Sequence, residues 1–440
     1  MTGAPIRTAV IGAGWAGCAA AVELAAAGRT VTLFDAARTP GGRARQVTVH
    51  GVSLDNGQHI LLGAYRESLR LMRQVGINPD TALLRLPLQM RYPPGSGMDF
   101  VAPGLPAPLH LIVALWRASG LARADKLALM RFSSTARWMD WRLNTDCSVT
   151  ELLARFDQTE TLVQLMWRPL CIAALNTPPE RASAQVFLNV LKDSLGARRA
   201  ASDMLLPRCD LSSLFPNQAA RFVEQHNGRV QTGTRITALI RQERGWQLVS
   251  AGATHHADDI VLATDVDNAA TLLAPLTDVT ALQALTHEPI TTCYLQYPPD
   301  RRLPEPFLAL IDDPERQHWG QFVFDRGQLD ARQDGLFAVV ISASTDAIAA
   351  GRSTLASAVA QQLAQVLSRP ELAVPLWSQV ISEKRATFSC TPGLLRPDNG
   401  TALAGLMLAG DYTASAYPAT IESAVRSGVT AARALLTYNA

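Results

Sequence analysis

The chain has little charge and almost no excess of either sign. Lys plus Arg number 40 and Asp plus Glu 38, a net +2 in 440 residues, and charged residues are only 18% of the total. Such a balance creates no field for holding a phosphate polymer, so nucleic acid is not an expected partner. Cysteine is sparse and scattered, at 18, 147, 171, 209, 293 and 390, with no C-x-x-C pair. That spacing fits neither a disulfide framework nor a zinc site; no metal is expected, and a reducing compartment is. No run of about 18 apolar residues occurs, which argues against a spanning helix. Met1-Thr2-Gly3-Ala4-Pro5 leads straight into a strand-like segment without a basic leader or cleavable apolar stretch, so a cytoplasmic location is expected. Aromatics are 6%, yet hydrophobic residues reach 48%, mostly Ala, Leu and Val. That ratio excludes disorder and is compatible with an apolar ligand or a surface resting on lipid.

The length predicts two domains. At the start, the apolar run Thr8–Ile11 enters Gly12-Ala13-Gly14-Trp15-Ala16-Gly17, an Ala-rich helical stretch follows, and Thr30–Phe34 ends on Asp35. This is a βαβ opening. Gly12 permits the tight turn, Gly14 lets backbone approach a pyrophosphate, and Gly17 lets helix and strand pack closely. The helix N-terminus then offers unpaired N–H groups to the phosphates, while Asp35 can accept from a ribose diol. The motif indicates a dinucleotide and is silent on NAD against FAD. Two further segments favour a flavin. Pro40-Gly41-Gly42-Arg43 bares backbone beside a charge-assisted donor. Near the other end, strand-like Leu408-Ala409 leads into Gly410-Asp411, whose carboxylate suits ribityl hydroxyls. Thr420-Ile421-Glu422 opens a helix whose N–H groups can face the flavin carbonyls.

GAGWAG, FDA, GGRAR, LDNGQHILLGAY and the C-terminal LAGDY and TIESAVRSGVTAA resemble the flavin amine oxidase and phytoene desaturase superfamily. PAPLHL (106–111), WRPLCIAALNTPPERASAQVFLNVLKDSL (167–195) and DLSSLFPNQAARF (210–222) resemble one branch of it, the hydroxysqualene dehydroxylases of bacterial squalene and hopanoid synthesis. The resemblance covers essentially the whole chain. It implies an α/β fold in which a Rossmann-like FAD-binding domain of the amine oxidase type is interleaved with a mixed α+β substrate domain. The FAD-binding parts are expected at 1–81, 209–287 and 391–440, and the substrate parts at 82–208 and 288–390. Gly12, Ala13, Gly14, Ala16 and Gly17 would form the pyrophosphate turn, with Asp35 on the adenosine ribose, where many relatives carry Glu. Gly42 and Arg43 would meet the pyrophosphate, Ile236 the adenine, and Gly410, Asp411, Thr420 and Ile421 the ribityl chain and ring. The C-terminal flavin segment has no cysteine, so the FAD is expected to be non-covalent.

Gly57, Gln58 and His59 fall where relatives pass the chain beside the flavin. His59 as imidazolium can protonate a leaving hydroxyl, or Gln58 and His59 only hydrogen-bond the ring or a carbonyl. Asn176 either orients a substrate oxygen or caps a helix end before Pro178-Pro179. The implied substrate is a long isoprenoid carrying an allylic hydroxyl. The implied reaction is acid-assisted loss of that hydroxyl with hydride from flavin N5. Alternatives on the same fold are a carotenoid or phytoene-type desaturase and, with less support, an amine oxidase; a non-catalytic isoprenoid-binding flavoprotein is a further one. No second complete G-x-G-x-x-G is present for NADPH, so an external reductant is expected and unidentified. The segment 105–121, the most apolar long stretch, either contacts a membrane peripherally or walls the substrate tunnel.

Overall fold

The structure is a computed structural model that describes residues 6–438; Met1–Pro5, considered above for a leader, lie outside the described residues. Strand β1 (Arg7–Ile11) enters the glycine turn, helix α1 (Trp15–Ala26) leaves it, and β2 (Thr30–Phe34) returns. All of α1 except Glu23 and Ala26 is buried, which small Ala side chains permit because neighbouring elements can approach closely. A hairpin follows, β3 (Gln46–Val49) and β4 (Val52–Asp55), then α2 (Arg66–Gln74). The helical region carries α3 (Leu109–Arg117), α4 (Arg123–Trp138) and α5 (Arg168–Leu175). Its centre is aromatic: the Phe132 and Trp167 rings lie 4.5 Å apart, and Phe187 meets Trp167 edge-on at 6.2 Å.

The α/β pattern resumes with β5 (Arg229–Gln231) and β6 (Asp259–Leu262). A second sheet is built from β7 (His287–Gln296), β8 (Phe307–Ala309), β9 (Phe322–Asp325), β10 (Leu336–Ser342) and, after α6 (Arg352–Val366), β11 (Trp377–Phe388). Strand β12 (Leu406–Leu408) and α7 (Ile421–Tyr438) close the chain.

The first sheet is parallel, in the order β5-β2-β1-β6-β12, so it gathers strands from three separated stretches of sequence. Helices α1 and α7 cover one face of it. Gly428 makes their contact possible, because a Cβ there would stand 2.0 Å from the Ala16 carbonyl oxygen. The second sheet, β8-β9-β10-β7-β11, is antiparallel, and α6 packs Leu355, Val359 and Leu363 against Cys293, Leu295 and Val339. The fold is the expected α/β type, a parallel sheet combined with a mixed α+β part. A small sheet joins Leu61–Leu62, Met204–Pro207 and Leu83–Leu86, so backbone hydrogen bonds tie the first expected part to the second. Among the described residues no helix is long and apolar enough to cross a membrane.

Candidate active site

The glycine turn sits at the carboxyl end of β1, beside the start of the loop after β6, where open parallel sheets bind ligands. Gly12 adopts φ +106°, and a Cβ there would meet the Ala263 carbonyl oxygen at 2.4 Å. Gly17 faces the Gly12 carbonyl so closely that a Cβ would be 1.8 Å away. These two glycines serve packing. Gly14 is different: its φ of −71° suits any residue, and a Cβ would have only Gly42 Cα near it, at 3.8 Å. The space above Gly14 and Gly42 is therefore a cradle that side chains would fill. Helix α1 starts there with no capping side chain and no acid in its first turn, which leaves its N–H groups to an anion. The Ala13 carbonyl accepts from Gly41 N–H at 2.8 Å and holds the two glycine loops together. Ala16 is buried in α1.

Asp35 follows β2 and accepts from Ala13 N–H at 2.6 Å and Ala37 N–H at 2.7 Å. Each oxygen has a further lone pair for a ribose hydroxyl. Its backbone also accepts from Thr234 N–H at 2.8 Å, which brings the 233–236 segment and buried Ile236 alongside.

Arg43 has protein partners that the sequence did not suggest. It donates to Asp411 Oδ1 at 2.5 Å and to the Ala386 carbonyl at 2.6 Å. It ties the first and last flavin-side stretches to β11. Asp411 is buried and forms the other half of that tie. Gly410 lacks a Cβ because the Tyr412 ring occupies the space, 2.4 Å from where one would be. The Tyr412 hydroxyl is buried with no hydrogen-bond partner and lies in a narrow cavity with Arg43, Asp265, His287 and Asp411. Thr420 caps α7 by accepting from Ser423 N–H at 3.1 Å, and Ile421 is the first residue of that helix. A glycine cradle at an uncapped helix start, an orphaned phenol and a second helix start fit a flavin dinucleotide.

The loop 56–60 follows β4 and is clamped by the second sheet. Gln58 N–H faces Thr292 Oγ1 at 3.4 Å, and the Gln58 side-chain oxygen accepts from Arg326 Nη1 at 3.0 Å. His59 Nδ1 lies 2.7 Å from the Gly57 carbonyl, which can only accept, so Nδ1 carries the proton and Nε2 has the free lone pair. Burial, with the nearby Arg43 charge, pushes the His59 pKa below the ordinary histidine value. At neutral pH the resting imidazole is thus neutral, and Nε2 must take up a proton before it can give one. Of the two readings of Asn176, the structure has the helix cap. It ends α5 in the left-handed region, and its amide is spent on the Glu288 carbonyl, Thr387 Oγ1 and Ala343 N–H at 3.2, 2.9 and 2.7 Å. It is a buried helix cap bonded to the second sheet, with its amide nitrogen and one lone pair of its oxygen engaged.

Three further residues have roles that the sequence did not assign them. Asp55, just before the loop, is buried and its carboxyl is pushed up to about 7, chiefly by burial and against the opposing Arg326 charge. Arg326 is buried too and bonds Gln333 Oε1 at 2.8 Å. Glu422 accepts from Ser68 N–H and Oγ and from Glu67 N–H, at 2.9, 2.7 and 3.1 Å, capping α2 from α7. Asp55 had one sequence signal, its place against the NGQH turn; Arg326 and Glu422 act on residues hundreds of positions away.

The chain belongs to the flavin-containing amine oxidoreductase family, whose profile matches residues 15–436, and is a flavin-dependent oxidoreductase. Within that family it is similar to the hydroxysqualene dehydroxylase of Rhodopseudomonas palustris, 30% identical over 97% of each chain. It is 25% identical to the zeta-carotene desaturase of Synechocystis over 99% of this chain and 98% of the relative. Cyclohexylamine oxidase from Brevibacterium oxydans shares the fold, with a TM-score of 0.68 and 17% identity over 99% of this chain and all of that one.

Proposed function

We propose that the protein holds FAD non-covalently and converts hydroxysqualene to squalene by reductive removal of the allylic hydroxyl. The observation that carries this is the 30% identity to a hydroxysqualene dehydroxylase along 97% of both chains. Bound reduced flavin supplies the hydride, and the leaving group departs as water once protonated. The α1 N-terminus and the Gly14–Gly42 cradle hold the pyrophosphate, and Asp35 the adenosine ribose. Asp411, fixed by Arg43, faces the ribityl side, and α7 presents its first N–H groups at Ile421 to the ring. No cysteine occurs in the flavin-side segment 405–438, in keeping with a non-covalent cofactor.

His59 holds the leaving hydroxyl at the reacting face. Its Nδ1–H is anchored on Gly57, so Nε2 is the atom that takes up a proton and passes it to the departing oxygen. Gln58, locked by Arg326, fixes the loop so that this atom does not wander. The imidazolium is populated only below the usual histidine range, so the reaction should quicken as pH falls. The other direction of hydride flow, a carotenoid-type desaturation, draws support from the 25% identity to zeta-carotene desaturase. Incubating reduced protein with hydroxysqualene, and oxidised protein with phytoene or squalene, decides between them.

A further inference from the structure

Helices α3 and α4 each bury one stripe and leave another bare. On α3, Ala114 and Leu115 are buried, while Leu109, Ile112 and Trp116, at i, i+3 and i+7, are 50%, 52% and 78% exposed. On α4, Ala128, Leu129, Phe132 and Ala136 are buried, while Leu127, Met130 and Trp138 are 56%, 52% and 87% exposed on one face. Lys126 joins the two stripes. Its ammonium donates to the carbonyls of Trp116 and Ala118 at 2.9 and 2.7 Å, bringing the end of α3 to the first turn of α4. With Leu105, this short segment holds seven of the eleven large hydrophobic side chains exposed among the described residues. An apolar surface gathered in one place signals a docking face.

The charges identify the partner. Arg117, Arg123, Arg131 and Arg137 are exposed, and none pairs with a carboxylate among the described residues. Elsewhere arginines such as Arg7, Arg91 and Arg302 are in ion pairs. The one acid between 105 and 139 is Asp125, which is buried and spent on Ala122 N–H and the Thr159 hydroxyl, at 2.7 and 2.6 Å. A nearly neutral chain therefore carries a local cationic rim around an apolar ridge with two exposed tryptophans. A second copy would set like charges against each other. Anionic headgroups neutralise the rim, acyl chains cover the ridge, and tryptophan is favoured at the boundary between the two.

We propose that the α3–α4 face docks the protein on an anionic bilayer surface, with Trp116 and Trp138 at headgroup depth and the four arginines against lipid phosphates. The face extends past 105–121 onto α4 and carries the arginines of both helices. It does not depend on which substrate the flavin site takes.

The test is flotation of the full flavin-loaded protein on phosphatidylcholine vesicles with and without phosphatidylglycerol, with sedimentation for oligomeric state. Binding should require phosphatidylglycerol and weaken with salt. Trp116→Ser with Trp138→Ser, and separately Arg117→Gln with Arg131→Gln, should each weaken it on the order of 10-fold or more. Their melting temperatures and flavin spectra should match the parent, since these side chains touch little. Equal binding with and without phosphatidylglycerol, equal binding by the variants, or a dimer that the substitutions dissociate would each overturn the proposal.

Discussion

The Arg326 guanidinium, carried by the loop after β9, donates to the side-chain oxygen of Gln58, 268 positions earlier, at 3.0 Å. The same group lies close enough to Asp55 to lower its pKa against the effect of burial. One buried cation therefore organises both ends of the turn that carries His59. Arg326→Met should retain FAD yet slow the reductive step on the order of 10- to 100-fold, because the turn loses its anchor. Rapid-mixing kinetics on prereduced variant check this; an unchanged rate would remove Arg326 from positioning.

Asp55 also makes a pH prediction. Its folded pKa of about 7 exceeds the ordinary 3.8, so between those values the folded state binds more protons than the unfolded chain. Stability from this group is therefore lost as pH rises through that window, by on the order of a few kcal/mol. Asp55→Asn keeps an oxygen for Leu211 N–H, which now donates at 2.8 Å, and removes the titration. The variant's melting temperature should gain on the parent from pH 5 to pH 8. A constant gap would contradict the assignment.

His59 supplies a kinetic counterpart. If Nε2 delivers the proton, the single-turnover rate should rise as pH falls and level off below the ordinary histidine range, because burial and Arg43 lower its pKa. His59→Ala should keep the flavin and lose this limb of the profile.

The cradle can be filled without strain. Gly14→Val places a side chain where the backbone already has φ −71° and where only Gly42 Cα lies near. The fold should survive while FAD affinity falls by roughly 100-fold, about 3 kcal/mol. Flavin titration of apoprotein reads the loss, and circular dichroism the fold.

Much of this was legible where the chemistry is local. Gly12, Gly14 and Gly17 announce their turn because strand, turn and helix are contiguous, and Gly41-Gly42 declares a second bare loop nearby. The partners of single side chains were not. Nothing near Arg43 predicts Asp411, 368 positions on, and nothing near Asn176 predicts that Thr387 and Ala343 engage its amide. Asn176 looked polar in an apolar stretch, a pattern that a helix cap and a substrate contact share. The apolar stretch 105–121 was visible, but the matching face of α4 was masked by the polar residues alternating through Arg123–Trp138. Only the fold separates its buried stripe from its bare one.

Isotopic labelling reads the direction of hydride flow from the product itself. Protein prereduced and equilibrated in D2O, so that the exchangeable hydrogen at flavin N5 is deuterium, is mixed anaerobically with hydroxysqualene, and product and flavin spectrum are followed together. One squalene should form per flavin oxidised, with deuterium on the carbon that bore the hydroxyl. Flavin that stays reduced with hydroxysqualene, together with oxidised protein that is reduced by phytoene, would mean that hydride flows the other way.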